Sequence, residues 1–421
     1  MHRLVLSTAA LALLTTSAAA QASRTDAAQL QAMFAMLQSD NAWTVQQQRS
    51  ICEIPAPPFK ETARAEEFKR RLEAMGLRAR IDAVGNVIAE RPGSGRGPTV
   101  VLAGHLDTVF PEGTDVKVKD EGTRMKAPGI GDNCRGVAVV LAVARAYQRV
   151  NPRHDGRIIF VGNVGEEGPG NLRGVRHLFE NELKGEIDYF VAVDGSGLNF
   201  VSRAVGSNRY RVTYKGPGGH SYGAFGIPNP IHALGRAIAK VSEVQVPSNP
   251  KTTFNVGVIS GGTSVNSIAF EGIMEIDMRS ESVDALRTLD QTVRRALQQA
   301  LDEENARWTG PRAERARISL VIDTIGIRPT GAQSDTARIV QVAMQAARSL
   351  GFTANHGASS TDANIPISLG VPGISIDGGG RDEGAHSLSE WYEDGPNGWL
   401  GPQWAAAIVA RLAGLAPVVT P

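Results

Sequence analysis

The sequence predicts an α/β fold: a mostly parallel sheet in a main domain, interrupted by a small inserted domain. Three short apolar runs rich in β-branched residues, TVVLAGHLDT, RIIFVGNVGEE and IDYFVAVDGSG, are flanked by Gly or Pro, which is typical of buried strands. The helical run VAVVLAVARAYQRV separates the first two. Strands that alternate with helices indicate a parallel sheet. Between residues 206 and 327 the order strand, helix, strand, strand, helix, strand predicts a ferredoxin-like βαββαβ domain.

The N-terminal 22 residues differ from the rest of the chain. A short basic start is followed by the apolar run LVLSTAALALLTT and by small-residue cleavage patterns between Ala18 and Ala22. The alternative, a membrane anchor, is disfavoured because this run of about 13 residues is short against the ~20 that span a bilayer. We therefore predict a signal peptide over residues 1–22 and a periplasmic or secreted mature protein that is not attached to the membrane.

The mature chain is predicted to divide into three segments: the main domain over 23–205, the inserted domain over 206–327, and the main domain again over 328–421. The run from Ala27 to Leu77 has a helical pattern that Gly76 ends. After residue 327 we predict the helix DTARIVQVAMQAARSLG, a loop, the strand GVPGISIDGG and a last helix, WAAAIVARLAGL.

The charge balance argues for a small-molecule partner. Lys and Arg number 44 against 43 Asp and Glu, so no net field attracts the protein to nucleic acid or to an anionic membrane. Cys52 and Cys134 are the only cysteines and lie in unrelated contexts. No disulfide framework can be inferred from them, and a single bridge stays open but is not predicted.

Candidate metal ligands follow the predicted strands at the points where they end. In open α/β sheets, sites form outside the carboxyl ends of the strands, so these side chains are expected to converge. Two more candidates lie in GIGDNCRG, before the VAVVLAVARAYQRV helix, and in GGGRDEGAHS. The set is His105, Asp107, Asp132, Glu166, Glu167, Asp194 and His386.

Imidazoles and carboxylates without a cysteine cluster suit zinc or a similar divalent ion, and the oxygen ligands suffice for two ions. If Asp132 bridges two divalent ions and Glu167 and Asp194 bind one each, with neutral His105 and His386, one positive charge remains. A bound hydroxide would neutralise it. Taken alone, Asp132 would more often be a helix N-cap, because Asp is common there.

Glu166 is not needed as a ligand, so we assign it as the general base that takes a proton from water. Neighbouring residues on an extended segment point in opposite directions, which lets Glu166 and Glu167 take different roles. Asp107 shares a strand face with His105 and is placed to accept the second imidazole proton. His356 and Asp362 border the pocket in this interpretation and are not ligands.

The segments GHLDT, GDNCRG, EEGPGN, VDGSG and GAHS resemble the zinc-dependent metallopeptidase family that includes glutamate carboxypeptidase, acetylornithine and succinyl-diaminopimelate deacylases, dipeptidases and tripeptidase T. The resemblance implies two Zn²⁺ ions, with Co²⁺ or Mn²⁺ as alternatives. The implied ligands are His105, bridging Asp132, Glu167, Asp194 and His386, and Glu166 is the implied base. The implied reaction is hydrolysis of an amide bond in short peptides or N-acyl amino acids, by a metallopeptidase or amidohydrolase.

The inserted domain resembles the lid and dimerisation domain of the same family, which implies a homodimer. GPGGHSYG is similar to its histidine-bearing loop, so His220 is expected to stabilise the oxyanion or hold a substrate carboxylate. Asn266 in GGTSVNSI and Arg279 in DMRS are the implied substrate-binding groups. For Arg279 the alternative is a surface ion-pair ladder with Glu275 and Asp277.

A rival hypothesis is a non-catalytic periplasmic protein that binds peptides or amino acids in the same cleft. Glu166 argues against it, because binding alone needs no base. The sequence leaves aminopeptidase, carboxypeptidase and deacylase activities open.

Overall fold

The computed structural model describes residues 27–415, which form two compact units. Unit 1 contains the described residues up to Ser202, then Gln333–Gly357 and the chain from Thr361 onward. Unit 2 contains Arg203–Ala332 with Ala358–Ser360, where the sequence analysis placed an inserted domain over 206–327. The predicted signal peptide lies outside the described residues. No helix among residues 27–415 combines the length and the apolar character needed to cross a bilayer.

Unit 1 is built on a mixed sheet whose four central strands are parallel, in the order β6-β3-β7-β17. The flanking strands β2 and β1 on one side and β8 on the other pair antiparallel. A short turn joins β1 to β2, and such a turn permits only antiparallel pairing. The α/β prediction is confirmed, with parallel pairing confined to the centre. The strands are β1 (Ala79–Ile81), β2 (Val87–Arg91), β3 (Thr99–His105), β6 (Arg157–Asn163), β7 (Tyr189–Val193), β8 (Phe200–Ala204) and β17 (Gly373–Ile376).

Helices cover this sheet and bury its central strands almost completely. The helical pattern predicted from Ala27 to Leu77 forms three helices, of which α3 ends at Ala74 just before Gly76, whose φ of +88° is in the left-handed region. Helix α4 is apolar on nearly all sides because it packs against the sheet, α2 and α11. The helices are α1 (27–39), α2 (Asn41–Cys52), α3 (Thr62–Ala74), α4 (Cys134–Val150), α5 (Arg173–His177), α9 (Arg338–Ser349), α10 (Asn364–Ser368) and α11 (Leu400–Leu412).

A second, antiparallel sheet of unit 1 has the order β18-β19-β5-β4. Its strands are β4 (Lys119–Glu121), β5 (Arg124–Lys126), β18 (Arg381–Glu383) and β19 (Trp391–Glu393). Each strand is only three residues long, which is too short for a periodic pattern that would predict it. Through this sheet the segment around residue 390 pairs with the segment just before residue 127.

Unit 2 has the predicted ferredoxin-like βαββαβ fold. Its antiparallel sheet has the order β11-β13-β9-β14, and α6 and α7 cover one face with a core that includes Val212, Tyr214 and Ile276. These elements are β9 (Gly206–Lys215), α6 (Pro230–Ser242), β11 (Thr252–Gly261), β13 (Glu271–Ser280), α7 (Val283–Arg307) and β14 (Ser319–Arg328). The short remaining elements are β10 (Gly219–His220), β12 (Ser267–Ile268), α8 (Pro311–Arg315), β15 (Gly331–Ala332) and β16 (His356–Ser359), with a 3-10 turn at Gly168–Gly170 and a π turn at Leu178–Glu182.

The two cysteines form a disulfide, a bridge that the sequence left open but did not predict. Cys52 is the last residue of α2 and Cys134 the first of α4. The two helices pack against each other, which brings the Cα atoms to 5.4 Å. Both residues are fully buried. The separation of 82 residues along the chain concealed this contact from the sequence analysis.

Removing the disulfide is expected to lower the free energy of unfolding by about 2–4 kcal/mol, because the bridge restricts the unfolded chain over a long loop. The measurement is urea denaturation of the oxidised protein and of the Cys52→Ala/Cys134→Ala variant. The reduced wild-type protein is the matched control and should unfold at the same urea concentration as the variant. Equal stability of the oxidised protein and the variant would contradict the expectation.

Candidate metal centre

The structure brings the five predicted metal ligands together in unit 1. His105 ends β3, Asp194 directly follows β7, and Glu167 lies in the loop after β6. Since these strands are parallel neighbours, their carboxyl ends meet at one edge of the sheet. Asp132 comes from the loop before α4, and His386 from the loop between β18 and β19. Their assignment as ligands remains a prediction.

Asp132 lies between the two histidines, with one carboxylate oxygen facing each. Its Oδ1 is 3.2 Å from Nε2 of His105, and its Oδ2 is 3.1 Å from Nε2 of His386. Oδ1 of Asp194 lies 3.5 Å from the same atom of His105. Oε1 of Glu167 lies 3.0 Å from Nε2 of His386. Asp132 therefore belongs to two groups of possible metal ligands, one around each histidine.

We call His105, Asp132 and Asp194 the first triad, and Asp132, Glu167 and His386 the second triad. In each triad the three possible ligand atoms lie within 4.8 Å of one another. His105, Glu166 and Glu167 meet the same criterion, so Glu166 also reaches the centre. Unlike Glu167, it does not belong to the group that contains His386.

The donor set of the two triads fits divalent cations. Two imidazoles and three carboxylates converge, and within residues 27–415 no Lys or Arg forms an ion pair with any of these five side chains. Burial raises the pKa of Glu167, because its charged form loses hydration. A buried carboxylate needs a compensating positive charge, and nitrogen and oxygen donors without thiolate suit zinc, cobalt or manganese.

Both histidines have a raised pKa in the metal-free protein. Burial works against the charged form of His105, but hydrogen bonds to Asp107, Asp132 and Asp194 outweigh it and hold its pKa well above the usual value. Hydrogen bonds to Asp132 and Glu167 raise the pKa of His386 to about 10. The same contacts lower the pKa of Asp132 despite its burial.

Metal affinity is therefore expected to rise with pH, because a ligating imidazole must be neutral. A group whose folded-state pKa is raised stabilises the metal-free fold fully below the unfolded value near 6.5 and loses that contribution as the pH rises through the folded value. For His386 this window runs from about 6.5 to about 10. We expect the apparent zinc affinity to increase about tenfold per pH unit for each proton displaced between pH 6 and 8.

Calorimetric titration in buffers with different ionisation enthalpies counts the protons released. About one proton per bound ion is expected at pH 7. Binding that is independent of pH in this range, with no proton release, would contradict the expectation.

Asp107 supports both the first histidine and the Glu pair. His105 Nδ1 donates to the carbonyl oxygen of Asp107 at 3.2 Å, which leaves Nε2 facing the centre. The buried carboxylate of Asp107 accepts the backbone N–H groups of Glu166 at 3.0 Å and of Glu167 at 2.8 Å. Asp107 thus orients the imidazole of His105 and positions the backbone of Glu166 and Glu167.

Asn133 is the N-cap of α4. Its Oδ1 accepts the N–H of Gly136 at 3.0 Å, so Asp132 does not cap the helix and its carboxylate is free for the two histidines. Asn133 Nδ2 also donates to the carbonyl oxygen of Val193 at 2.8 Å, next to Asp194. The Asp-Asn pair before the helix was the available signal.

Two further carboxylates lie near the centre: Glu390, which the sequence analysis missed, and Asp362, which it placed at the border of the pocket. Glu390 is buried, and its carboxylate accepts three backbone N–H groups of the loop that carries Asp132. Burial raises its pKa to about 7. Asp362 is buried, accepts a hydrogen bond from Asn163 at 2.7 Å, and has a pKa raised by burial to about 7. Glu390 does not stand in a recognisable local motif.

The other three predicted site residues belong to unit 2. His220 lies in the small β10–β12 ribbon and Asn266 directly precedes β12; the N–H of Ser221 donates to the carbonyl oxygen of Asn266 at 2.9 Å. Nδ1 of His220 accepts the N–H groups of Tyr222 and Gly223 at 3.3 Å.

Arg279 lies on β13, and its Nε donates to Asp277 at 2.6 Å. Asp277 also accepts a hydrogen bond from Arg209. This is the ion-pair ladder given as the alternative for Arg279. The roles of His220, Asn266 and Arg279 in substrate binding remain predictions.

The family model described as "Peptidase family M20/M25/M40" matches residues 101–397 of the chain. The match includes every ligand of both triads and the whole of unit 2 up to Ala332.

Similar proteins include hydrolases of peptides and of acylated amino acids. The succinyl-diaminopimelate desuccinylase of Nitrosospira multiformis is 28% identical over 312 residues, which cover 65% of this chain and 81% of that protein. A tripeptidase of Staphylococcus aureus has a similar structure, with a TM-score of 0.71, 21% identity and coverage of 88% and 98% of the two chains. The YXEP protein of Bacillus subtilis, described as a dinuclear metal-binding M20 peptidase, has a TM-score of 0.66, 17% identity and coverage of 89% and 99%.

Proposed function

We propose that this chain, which belongs to peptidase family M20/M25/M40 and hydrolyses peptides or acyl amino acids, uses two Zn²⁺ ions for the reaction. Co²⁺ and Mn²⁺ are the alternatives to zinc. The observation that carries the proposal is the position of Asp132, whose two carboxylate oxygens face two different histidines at 3.1 and 3.2 Å. A carboxylate placed in this way suits a ligand shared by two ions. The YXEP protein, a dinuclear metal-binding peptidase, supports the same number of ions.

His105 and Asp194 would hold one ion, Glu167 and His386 the other, and Asp132 both. When bound, such ions polarise a carbonyl group and lower the pKa of water. The protein's own contribution begins with Asp107, which keeps the proton of His105 on Nδ1 and positions the backbone of the Glu pair.

Glu166 is proposed as the general base. Its carboxylate accepts a proton from the attacking water and later delivers it to the nitrogen of the leaving amine. The carboxylate belongs to the group with His105 and Glu167, and the residue is buried, which limits competition from bulk water.

His220, Asn266 and Arg279 are proposed as substrate-binding groups contributed by unit 2. The two backbone N–H groups that point at Nδ1 of His220 favour a proton on Nε2, so His220 is suited to donate a hydrogen bond to a developing oxyanion. Arg279 would have to exchange its contact with Asp277 for a substrate carboxylate, which a guanidinium binds in a bidentate manner.

The test is incubation of the zinc-loaded protein, residues 23–421, with a mixed library of dipeptides, tripeptides and N-acyl amino acids, followed by mass spectrometry. We expect selective loss of a subset with stoichiometric release of amine and carboxylate products. A protein that binds library members tightly and returns them unchanged would contradict the proposal.

We propose that the mature protein works in the periplasm or outside the cell. The sequence of residues 1–22 supports this, and so does the Cys52–Cys134 disulfide, since such bonds form mainly in oxidising compartments. Fractionation of the expressing bacteria with N-terminal sequencing tests it. Retention of the full chain in the cytosol would contradict it.

We also propose a homodimer formed through unit 2. Strand β11 lies at the edge of its sheet, and Val258 and Ile259 on it are exposed. A free edge with apolar side chains is a template for pairing with a second copy. Sedimentation velocity should show a dimer that Ile259→Lys shifts toward monomer. Leu369→Lys, at an exposed leucine of unit 1, is the control, and a monomeric wild-type protein would contradict the proposal.

A further inference from the structure

Glu390 occupies an unusual position for a carboxylate. It is fully buried, and its side chain accepts three hydrogen bonds from backbone N–H groups. Oε1 accepts those of Gly131 at 2.8 Å and Asp132 at 3.0 Å, and Oε2 accepts that of Gly129 at 2.8 Å. Hydrogen bonds from several N–H groups to one charged acceptor are stronger than neutral ones. One side chain therefore fixes the backbone of the whole segment 129–132.

The same residue also belongs to the segment that carries His386. It is four residues beyond His386 and directly precedes β19, and its carbonyl oxygen accepts the N–H of Ala127 at 3.1 Å. Antiparallel pairing of Trp391 with Lys126 continues the connection. Glu390 thus joins the loop of Asp132 to the loop of His386 through both its side chain and its main chain.

We propose that Glu390 is a positioning residue that sets Asp132 and His386 in the relative placement needed for the second ion. This inference rests on the proposed function, because it concerns the ligands of the proposed dinuclear centre. Asp132 has to direct Oδ2 to His386 while Oδ1 faces His105, and a shift of the loop of His386 relative to the loop of Asp132 would separate Oδ2 from His386. The N–H of Asp132 itself is one of the three groups that Glu390 holds.

The two triads depend on Glu390 unequally. His105 and Asp194 of the first triad are placed by the ends of β3 and β7, which the central sheet holds. His386 lies in a loop, has a φ of +65°, and is more than half exposed. The first ion is therefore expected to bind nearly as in the wild-type protein when Glu390 is changed, whereas the second is expected to bind weakly.

The test is a Co²⁺ titration of metal-free protein, followed by calorimetry and by the visible absorption of bound cobalt. Glu390→Gln keeps the size of the side chain but directs an NH₂ group at one of the three N–H donors. Glu393→Gln is the matched control, because Glu393 lies three residues further on β19 and pairs with Arg381 at the surface. Glu390→Asp is a second variant that keeps the charge and shortens the reach.

We expect two binding steps for the wild-type and Glu393→Gln proteins. For Glu390→Gln we expect a first step within threefold of wild type and a second at least tenfold weaker, with a changed absorption spectrum. The affinity of the second step in Glu390→Asp should lie between those of the wild-type and Glu390→Gln proteins. Excess cobalt should restore the wild-type spectrum, which a merely structural defect would not allow.

Two results would overturn the inference alone: titrations of Glu390→Gln identical to wild type, or equal weakening of both steps together with a lower melting temperature of the metal-free protein. A wild-type protein that binds fewer than two ions would instead overturn the dinuclear proposal, and this inference with it. The outcomes are distinguishable because none of them depends on enzyme activity.

Discussion

Replacing Glu166 by Gln is expected to lower kcat by about 10²–10⁴-fold while the protein retains both metal ions. The amide has nearly the same shape as the carboxylate but cannot accept a proton from water. Metal binding is expected to persist because Glu166 belongs to neither triad that contains Asp132. Its backbone N–H still donates to Asp107, so the position of Glu167 should not change.

The measurements are steady-state kinetics on the substrate identified from the library and the metal content of the purified protein. Glu186→Gln, a surface change at a residue paired with Arg157, is the matched control and should retain wild-type activity. A fully active Glu166→Gln protein would exclude Glu166 as the base. Loss of one ion would instead identify Glu166 as a ligand.

Replacing Asp132 by Asn is expected to have the second large effect, because Asp132 is the only residue common to both triads. The amide offers one acceptor oxygen instead of two, so it can serve only one triad. We expect one of the two ions to bind at least about 100-fold more weakly. Activity should fall on the order of 10³-fold, since metal ions contribute several kcal/mol of transition-state stabilisation.

The comparison with two single-triad variants makes this experiment decisive. Asp194→Asn alters only the first triad and Glu167→Gln only the second, so each should weaken one ion and leave the other near its wild-type affinity. Metal content and calorimetric titration would separate the three patterns. An Asp132→Asn protein that binds both ions as the wild type does would show that Asp132 is not the shared ligand.

The sequence was most informative where a residue's environment is set by its immediate neighbours. A buried strand that ends on His105, or on Glu166 and Glu167, shows both features within about ten residues. Parallel pairing then places these strand ends at one edge, so the gathering of side chains follows from the fold class. The βαββαβ order of unit 2 could be predicted for the same reason, because each helix and strand shows its own hydrophobic periodicity within a short stretch of sequence.

Contacts between distant segments were not readable in this way. The N-cap role went to Asn133 and not to Asp132, and the choice depends on the bond from Asn133 to Val193 as well as on the local helix start. The sequence around Arg279 left two alternatives, substrate binding and a surface ion-pair ladder, and the structure pairs Arg279 with Asp277. Neither distinction is encoded in the spacing of residues along the chain.

The sequence by itself determined the α/β class, the ferredoxin-like insertion and the strand-end side chains that gather at the candidate metal centre, because strand and helix periods and strand-end side chains are local properties. Only the tertiary structure decided that Cys52 bonds to Cys134 across 82 residues and that Glu390 holds the segment 129–132. The same is true of the orientation of Asp132 toward two histidines. These features arise when helix packing and sheet pairing bring distant segments together. Patterns among neighbouring residues do not predict which distant residues will come into contact.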